Sequence, residues 1–303
     1  MVRHSLVGSC VWSLVWGAAL LVGIGSASAR DIFVDNLGGD DRNNGSSAIS
    51  EGRLNGPTKT ITKALRIART GDRVILRANV GEPYRECVTL QGGGNSGFLT
   101  DPLEIMGNGA VLDGTVSLAD AAWHSEKGDI FSVQPARMSY QQLFLDGQPA
   151  QRLEASGATL PALQPLQWCL VQGRIYFRVE PGRLPRDYNP SCCGHTVGIT
   201  LYDVHDVVIH DLTIRGFQLD GLNAHDTVFS TDIVNVISLN NGRSGFSVGG
   251  SSRVRLDECS AGGNGQAQVR TEGYCQVRRV GGKFDEATAP ALRNEGGQVV
   301  EER

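Results

Sequence analysis

The sequence predicts an all-β solenoid in which short strands stack in parallel, that is, a parallel β-helix. Three observations predict it. From Thr196 onward the chain divides into successive blocks of about 24 residues, beginning at Asp203, Thr227, Ser251 and Cys275. Each block combines short alternating segments with a turn rich in Asn and Gly, and none shows a helical period. With 39 Gly residues and only 6% aromatic residues, the 303-residue chain is expected to have frequent turns and a thin, aliphatic core.

Two segments, "DGLNAHD" at 220–226 and "SGFSVGG" at 244–250, show the repeat most clearly. A single coil cannot bury its apolar side, so neighbouring coils supply the core. Gly221 and Gly245 are therefore expected at the same corner of successive coils, about 4.8 Å apart. An antiparallel sandwich also has short strands and Gly-rich turns, but it does not require near-equal blocks.

The first 29 residues predict an export signal. Arg3 and His4 provide a positive start, an apolar run follows, and Ala27-Ser28-Ala29 is a small-residue cleavage site. A membrane anchor is the alternative, but the apolar run is shorter than a full span. The mature chain is expected to begin near Arg30, to lie outside the cell or in the envelope, and to have no membrane span.

Charge and cysteine content restrict the possible partners. The net charge of −4 and the absence of a basic stripe argue against nucleic acid. Six cysteines remain after cleavage, which permits disulfides without selecting a pairing. No metal-type cysteine spacing surrounds them.

The N-terminal part predicts a cap for the solenoid. Ile61, Ala64, Leu65 and Ala68 recur at helical spacing, so a short helix with one apolar face is expected, and Gly71 follows its end. We expect the cap and first coils over 30–114, a β-rich insertion over 115–195, where the regular spacing lapses, and further coils over 196–303.

These segments carry a resemblance. The stretches "IFVDNLGGDD" (32–41) and "GPTKTITKALRIARTGDRVILRA" (56–78) resemble the N-terminal region of secreted bacterial right-handed parallel β-helix proteins of the pectin-lyase-like superfamily. The resemblance covers residues 32–114 closely and the later coils generically. It implies a right-handed parallel β-helix. It leaves the activity open, since the superfamily includes lyases, hydrolases, epimerases and adhesins.

Strand alternation predicts two outward rows of side chains. The first holds Asn223, Ser247 and Gln268, and the second holds His225, Gly249 and Arg270. By resemblance, such a polar face binds sugars in this superfamily. Asn223, Ser247, Gln268 and the flanking Arg243 are the candidate substrate-binding residues.

Cleavage of a uronic acid polymer by β-elimination needs neutralisation of the carboxylate and a base for the α-proton. His225 and Arg270 are the candidate catalytic residues, and Asp220 and Asp226 are candidate ligands for Ca²⁺, the one cofactor considered. The segment 223–226 resembles the D-P-H-D motif of β-helical mannuronan epimerases, but Asn and Ala replace its first two residues. The segment 194–196 resembles the G-H-G of polygalacturonases, whose paired-Asp motifs are absent here.

The sequence therefore predicts an exported protein that binds an acidic polysaccharide, with uronate lyase or epimerase activity as the enzymatic hypothesis. A non-catalytic module of the cell envelope or of an adhesion surface is the alternative. The oligomeric state stays open.

Overall fold

The computed structural model describes Met1, residues 29–136 and residues 140–302. The predicted export signal therefore lies outside the described residues, apart from its two ends. Among those residues, no helix is long and apolar enough to cross a membrane.

The secondary structure is almost entirely β. The first half of the chain contains β1 (Asp31–Val34), α1 (Ile61–Ile67), β2 (Arg73–Leu76), β3 (Val88–Gln91), β4 (Leu103–Asp113), β5 (Thr115–Ser117), β6 (His124–Ser125), β7 (Ile130–Val133), β8 (Leu143–Leu145), β9 (Gln148–Pro149) and β10 (Gln151–Arg152). The second half contains β11 (Gln167–Val171), β12 (Arg174–Arg178), a 3-10 turn (Pro185–Tyr188), β13 (Ser191–Cys193), β14 (Ile199–Tyr202), β15 (His205–Arg215), β16 (Asp220–His225), β17 (Phe229–Val234), β18 (Ile237–Leu239), β19 (Ser244–Val248), β20 (Arg253–Asp257), β21 (Ser260–Gly262), β22 (Ala267–Val280), β23 (Lys283–Phe284) and β24 (Leu292–Glu302).

Fifteen strands form one curled parallel sheet, which confirms the predicted parallel β-helix. Its strands lie in three stacks. Stack one contains β3, β14, β16, β19 and the first parts of β22 and β24. Stack two contains β1, β2, the first parts of β4 and β15, then β17, β20 and the second parts of β22 and β24. Stack three contains the remaining parts of β4 and β15 with β18, β21 and β23.

Gly221 and Gly245 occupy equivalent corners, as predicted. Asp220 pairs with Ser244 and Leu222 pairs with Phe246, so the two glycines lie side by side on parallel strands. A Cβ on Gly221 would come within 2.0 Å of the buried Ser238 hydroxyl and 2.9 Å of the Gly245 carbonyl. Glycine is therefore required here by close approach.

The short helix α1 covers the first coil, as its apolar spacing predicted. Ile61, Ala64 and Leu65 are buried in the main core. The Thr60 hydroxyl caps the helix by accepting a hydrogen bond from the Lys63 amide. The predicted apolar face and the observed buried face are the same.

The interior changes character in the last coils. One inward column runs through Ile209, Ile233 and Leu256 and then reaches Arg279, which is 15% exposed, and Glu301 in the last coil, which is 62% exposed. These two charged residues form a 3.2 Å ion pair, and the Arg279 guanidinium lies 3.9 Å from the ring centre of Phe284. The apolar column thus gives way to a charged pair stacked on an aromatic ring.

Residues 115–193 form two smaller sheets outside the coils. One has five strands (β10, β11, β12, β7 and β6), and the other has four (β5, β13, β8 and β9). Trp168 and Phe177 are central to the separate core of this region. Its two ends meet where the Gly194 and His195 amides both donate to the Gly114 carbonyl.

The disulfides that the cysteine count permitted do not form. Cys87, Cys169, Cys192, Cys193, Cys259 and Cys275 are all free thiols. All except Cys87 are buried. The five buried thiols fill interior space in the manner of small apolar residues.

Candidate functional site

The outer face of stack one carries two parallel rows of side chains, one from each coil. The first row contains Thr89, Thr200, Asn223, Ser247, Arg270 and Arg293. The second row, two residues further along each strand, contains Gln91, Tyr202, His225, Gly249, Glu272 and Glu295. Strands repeat every 4.7–4.9 Å, so neighbouring members of a row can contact one another.

The structure corrects three predicted positions. Ser247 lies in the first row, as predicted, but is only 2% exposed, so it is not open to a ligand on this face. Arg270 pairs with Ser247 and belongs to the first row. Gln268 lies one residue before the inward Val269 and is 0% exposed, so it cannot contact a ligand on this face. The predicted rows placed Gln268 and Arg270 21 positions after Ser247 and Gly249, whereas the strands pair at an interval of 23, with Phe246 opposite Val269. A shift of two residues preserves the inward and outward alternation, so alternation alone could not detect it.

His225 lies in the second row, as predicted, and packs beside an aromatic ring. The ring centres of Tyr202 and His225 are 6.1 Å apart, with 35° between the ring planes. Both side chains are accessible, and Tyr202 is 40% exposed. Asn223 and Thr200 precede these residues by two positions and present an amide and a hydroxyl on the same face. This is the part of the face with an accessible ring next to hydrogen-bonding groups.

Asp226 neighbours His225 but has a backbone role as well. The distance from His225 Nε2 to Asp226 Oδ1 is 3.6 Å. Asp226 has a φ of +65°, which places it at the left-handed corner that ends β16. A Cβ on Gly250, in the next coil, would come within 2.5 Å of the Asp226 carbonyl. Gly250 itself has a φ of +63°, so the left-handed corner recurs in that coil.

Arg270 is neutralised by its surroundings. Its guanidinium lies 2.9 Å from a Glu272 oxygen and 2.5 Å from a Glu295 oxygen, and Arg293 lies 2.7 Å from Glu295. The hydrogen bond from Arg270 holds the pKa of the Glu295 carboxyl below its usual range. His225 is two strands away, so the structure does not bring the two predicted catalytic residues into contact.

Asp220 and Arg243 form a buried ion pair. Asp220 is 0% exposed, and its two carboxylate oxygens accept hydrogen bonds from Arg243 at 3.0 and 2.5 Å and from the Ser244 hydroxyl at 2.5 Å. The hydrogen bond to Asp220 raises the pKa of Arg243. The predicted roles of Asp220 as a metal ligand and Arg243 as a substrate contact do not fit this arrangement, because both groups already have partners inside the protein.

The two predicted calcium ligands do not converge. Asp220 begins β16 and Asp226 follows its end, a separation of roughly 20 Å along an extended strand. Within residues 29–136 and 140–302, no three or more His, Cys, Asp or Glu side chains form a group that could hold a metal ion.

Comparisons with known proteins find a likeness of shape alone. No family model matches the chain, and no curated protein matches it. A solved structure of XylC with xylose is 11% identical, covering 90% of this chain and 70% of that one, with a TM-score of 0.44. A glycoside hydrolase is 10% identical over 90% of this chain and 96% of its own (TM-score 0.38), and the pectate lyase Pel9A is 13% identical over 92% and 80% (TM-score 0.32). At these scores, the β-helix assignment depends on the strand register described above.

A buried amide ladder is a feature that the sequence reasoning missed. Asn241 Nδ2 donates to Asn264 Oδ1 at 3.0 Å, and Asn264 Nδ2 donates to Gln268 Oε1 at 2.7 Å. Gln268 Nε2 in turn donates to the Ala289 carbonyl. The repeated Asn-Gly at 241–242 and 264–265 was the available signal.

The reasoning also missed a thiol–imidazole contact. The exposed Cys87 Sγ lies 3.9 Å from His195 Nδ1 and 3.8 Å from the Thr196 hydroxyl. The contact is at the point where residues 115–193 rejoin the coils. Because Cys87 and His195 are over one hundred residues apart, only the fold reveals it.

Proposed function

We propose that this is an exported protein that binds a polysaccharide along the outer face of stack one. The observation that supports the proposal most directly is the accessible Tyr202–His225 ring pair next to Asn223 and Thr200. A tyrosine ring offers an apolar face to the C–H groups of a sugar ring together with a hydroxyl. Hydroxyl, amide and imidazole groups supply both donors and acceptors for sugar hydroxyls.

Binding without cleavage fits this face better than β-elimination does. An uronate carboxylate would have to displace Glu272 and Glu295 from Arg270, and His225 is not in contact with that arginine. The 3.6 Å contact of His225 with Asp226 favours the second candidate, a uronate lyase or epimerase in which His225 is the base.

Binding is tested by titration calorimetry of the mature chain with pectate, alginate, a glycosaminoglycan and a neutral xylan. We expect Tyr202→Ala to weaken binding of its best ligand about tenfold. That factor is about 1.4 kcal/mol, the free energy of burying roughly 55 Å² of apolar ring surface at about 25 cal/mol per Å². Tyr274→Ala is the matched control, because Tyr274 is 88% exposed and lies outside both rows. Unchanged binding in Tyr202→Ala, or no binding to any of the four glycans, would contradict the proposal.

The same samples separate binding from catalysis. The ultraviolet absorbance of unsaturated uronate is followed with Ca²⁺ or with a chelator present. Retained binding without product supports the non-catalytic module, whereas product that disappears in His225→Ala establishes the lyase.

A further inference from the structure

A groove on the outer face of stack two carries excess positive charge, whereas the charged side chains on the face of stack one pair with one another. It is a cavity of about 240 Å³ over β17, β20 and β22. Its charged lining consists of Asp232, Arg253, Arg255 and Arg278. The lining therefore carries an excess of positive charge in a chain whose net charge is −4.

The arginines of the groove differ in how well they are compensated. Arg255 lies opposite Asp232 and forms a 2.9 Å ion pair with Asp257. Arg278 has only a 3.7 Å contact with Glu302 and is 66% exposed. Arg253 forms no ion pair with any residue that the structure describes, and its guanidinium lies 5.6 Å from the ring centre of Phe229. Two positive charges are left with weak or no protein partners.

The strand register brings these groups into one cluster. Arg253 pairs directly with Gln276, and Arg278 follows Gln276 by two residues on the same face. Such diagonal neighbours are about 7–8 Å apart, within reach of long side chains. Arg255 and Arg278 also lie directly opposite each other, an arrangement of like charges that destabilises a sheet. Destabilising placements of like charges of this kind are typical of functional sites.

We propose that Arg253, Gln276 and Arg278 bind the carboxylate or sulfate group of an acidic saccharide. Guanidinium groups bind planar and tetrahedral oxoanions through paired N–H donors. The Gln276 amide between them supplies a donor for the anion and an acceptor for a neighbouring sugar hydroxyl. The groove is smaller than typical drug-sized pockets, so it takes a single sugar residue or anionic group.

This site lies on a different stack from the Tyr202–His225 pair, and its ligand is recognised by charge. It extends the proposed function by giving the acidic groups of a glycan a binding surface of their own, but it does not depend on binding at stack one.

Calorimetry at constant ionic strength with oligogalacturonate, a sulfated galactan oligosaccharide, a neutral galactan oligosaccharide and sodium sulfate tests the inference. Arg253→Gln and Arg278→Gln are each expected to weaken binding of the acidic oligosaccharides at least tenfold, because a charge-assisted hydrogen bond is lost. The matched control is Arg73→Gln. Arg73 lies in the same outward row at the other end of stack two and pairs with Asp31. Its removal is expected to change binding less than twofold.

The inference is overturned if both variants bind like the unmodified chain, if the neutral oligosaccharide binds equally well, or if sulfate binds and no acidic oligosaccharide does. Tighter binding of an oligonucleotide through the same arginines would overturn the saccharide assignment. Tyr202→Ala identifies which proposal fails: loss of binding in that variant alone assigns the ligand to stack one, and loss in the arginine variants alone assigns it to the groove. Thermal unfolding of each variant confirms that it is folded.

Discussion

Replacement of Arg243 should lower the free energy of unfolding more than replacement of any exposed arginine does. The Arg243→Met variant keeps most of the side-chain volume and leaves the Asp220 carboxylate buried without its charged partner. Breaking a buried pair from one side costs about 3–5 kcal/mol. Because Arg243 is 20% exposed and the Ser244 hydrogen bond to Asp220 remains, we expect the lower end, about 3 kcal/mol.

Urea unfolding followed by circular dichroism measures this change. In a chain of this size, a loss of 3 kcal/mol corresponds to a fall in Tm of roughly 6–12 °C. The matched control is Arg42→Met, which breaks the exposed pair with Asp40, where the side chains are 81% and 41% accessible. An exposed pair of this kind is screened by solvent, so the control is expected to leave the unfolding midpoint nearly unchanged.

Adding Asp220→Asn to Arg243→Met should restore part of the lost stability, because the unpaired buried charge is then gone. A cost below about 1 kcal/mol for Arg243→Met alone would refute the assignment of a structural pair. So would a Ca²⁺-dependent rise in Tm that disappears in Asp220→Asn, because it would show that the carboxylate is a metal ligand instead.

Three further outcomes are expected. Alkylation of the native chain at pH 8, read by peptide mass spectrometry, should label Cys87 and spare Cys259, since burial raises the pKa of Cys259 to about 12; equal labelling of both would contradict the described core. Asn264→Ala should lower the unfolding free energy by about 1–3 kcal/mol in urea titrations by leaving buried partners unsatisfied, and an unchanged midpoint would show that the amide ladder is dispensable. Hydrogen bonds from Asn235 and then His210 hold the pKa of Asp211 below its ordinary value. The stabilising contribution of Asp211 is therefore complete above about pH 4 and lost as the pH falls through the lowered pKa. Asp211→Asn should flatten the dependence of Tm on pH between 2 and 5. If Tm falls with acid as steeply in this variant as in the unmodified chain, Asp211 makes no such contribution.

Much of the fold could be predicted because it is encoded in local, repeated signals. The near-equal blocks predicted the coils, and Gly221 and Gly245 marked a corner where a side chain has no room. The apolar positions of α1 predicted its buried face. Each of these signals needs only a few neighbouring residues, so one sequence is sufficient to detect it.

The candidate site was less predictable because it depends on register between coils. The predicted rows assumed an interval of 21 residues between the coils of Ser247 and Arg270, and the observed interval of 23 places Arg270 beside Ser247 and buries Gln268. Aligning Asn241-Gly242 with Asn264-Gly265 would have given the 23-residue interval, since these asparagines stack in the interior. Even with the correct register, the partners of Arg270 include Glu295 in a later coil, which no local pattern identifies.

Because coils stack directly on one another, the balance of charges within a row of side chains indicates what kind of ligand that surface binds. Coils repeat every 4.7–4.9 Å, so each charge lies close to the equivalent side chain above and below it. On stack one, Arg270 and Arg293 are balanced by Glu272 and Glu295, and the accessible part of that face is neutral and aromatic. In the groove of stack two, Arg255 has Asp232 and Asp257 as acidic neighbours, but Arg253 and Arg278 face solvent with no ion pair or only a weak one among the described residues. A bound anion would remove the repulsion there, whereas on stack one it would have to break existing ion pairs. Recognition of a glycan's neutral ring surface and recognition of its acidic groups are therefore expected on different stacks of the same β-helix.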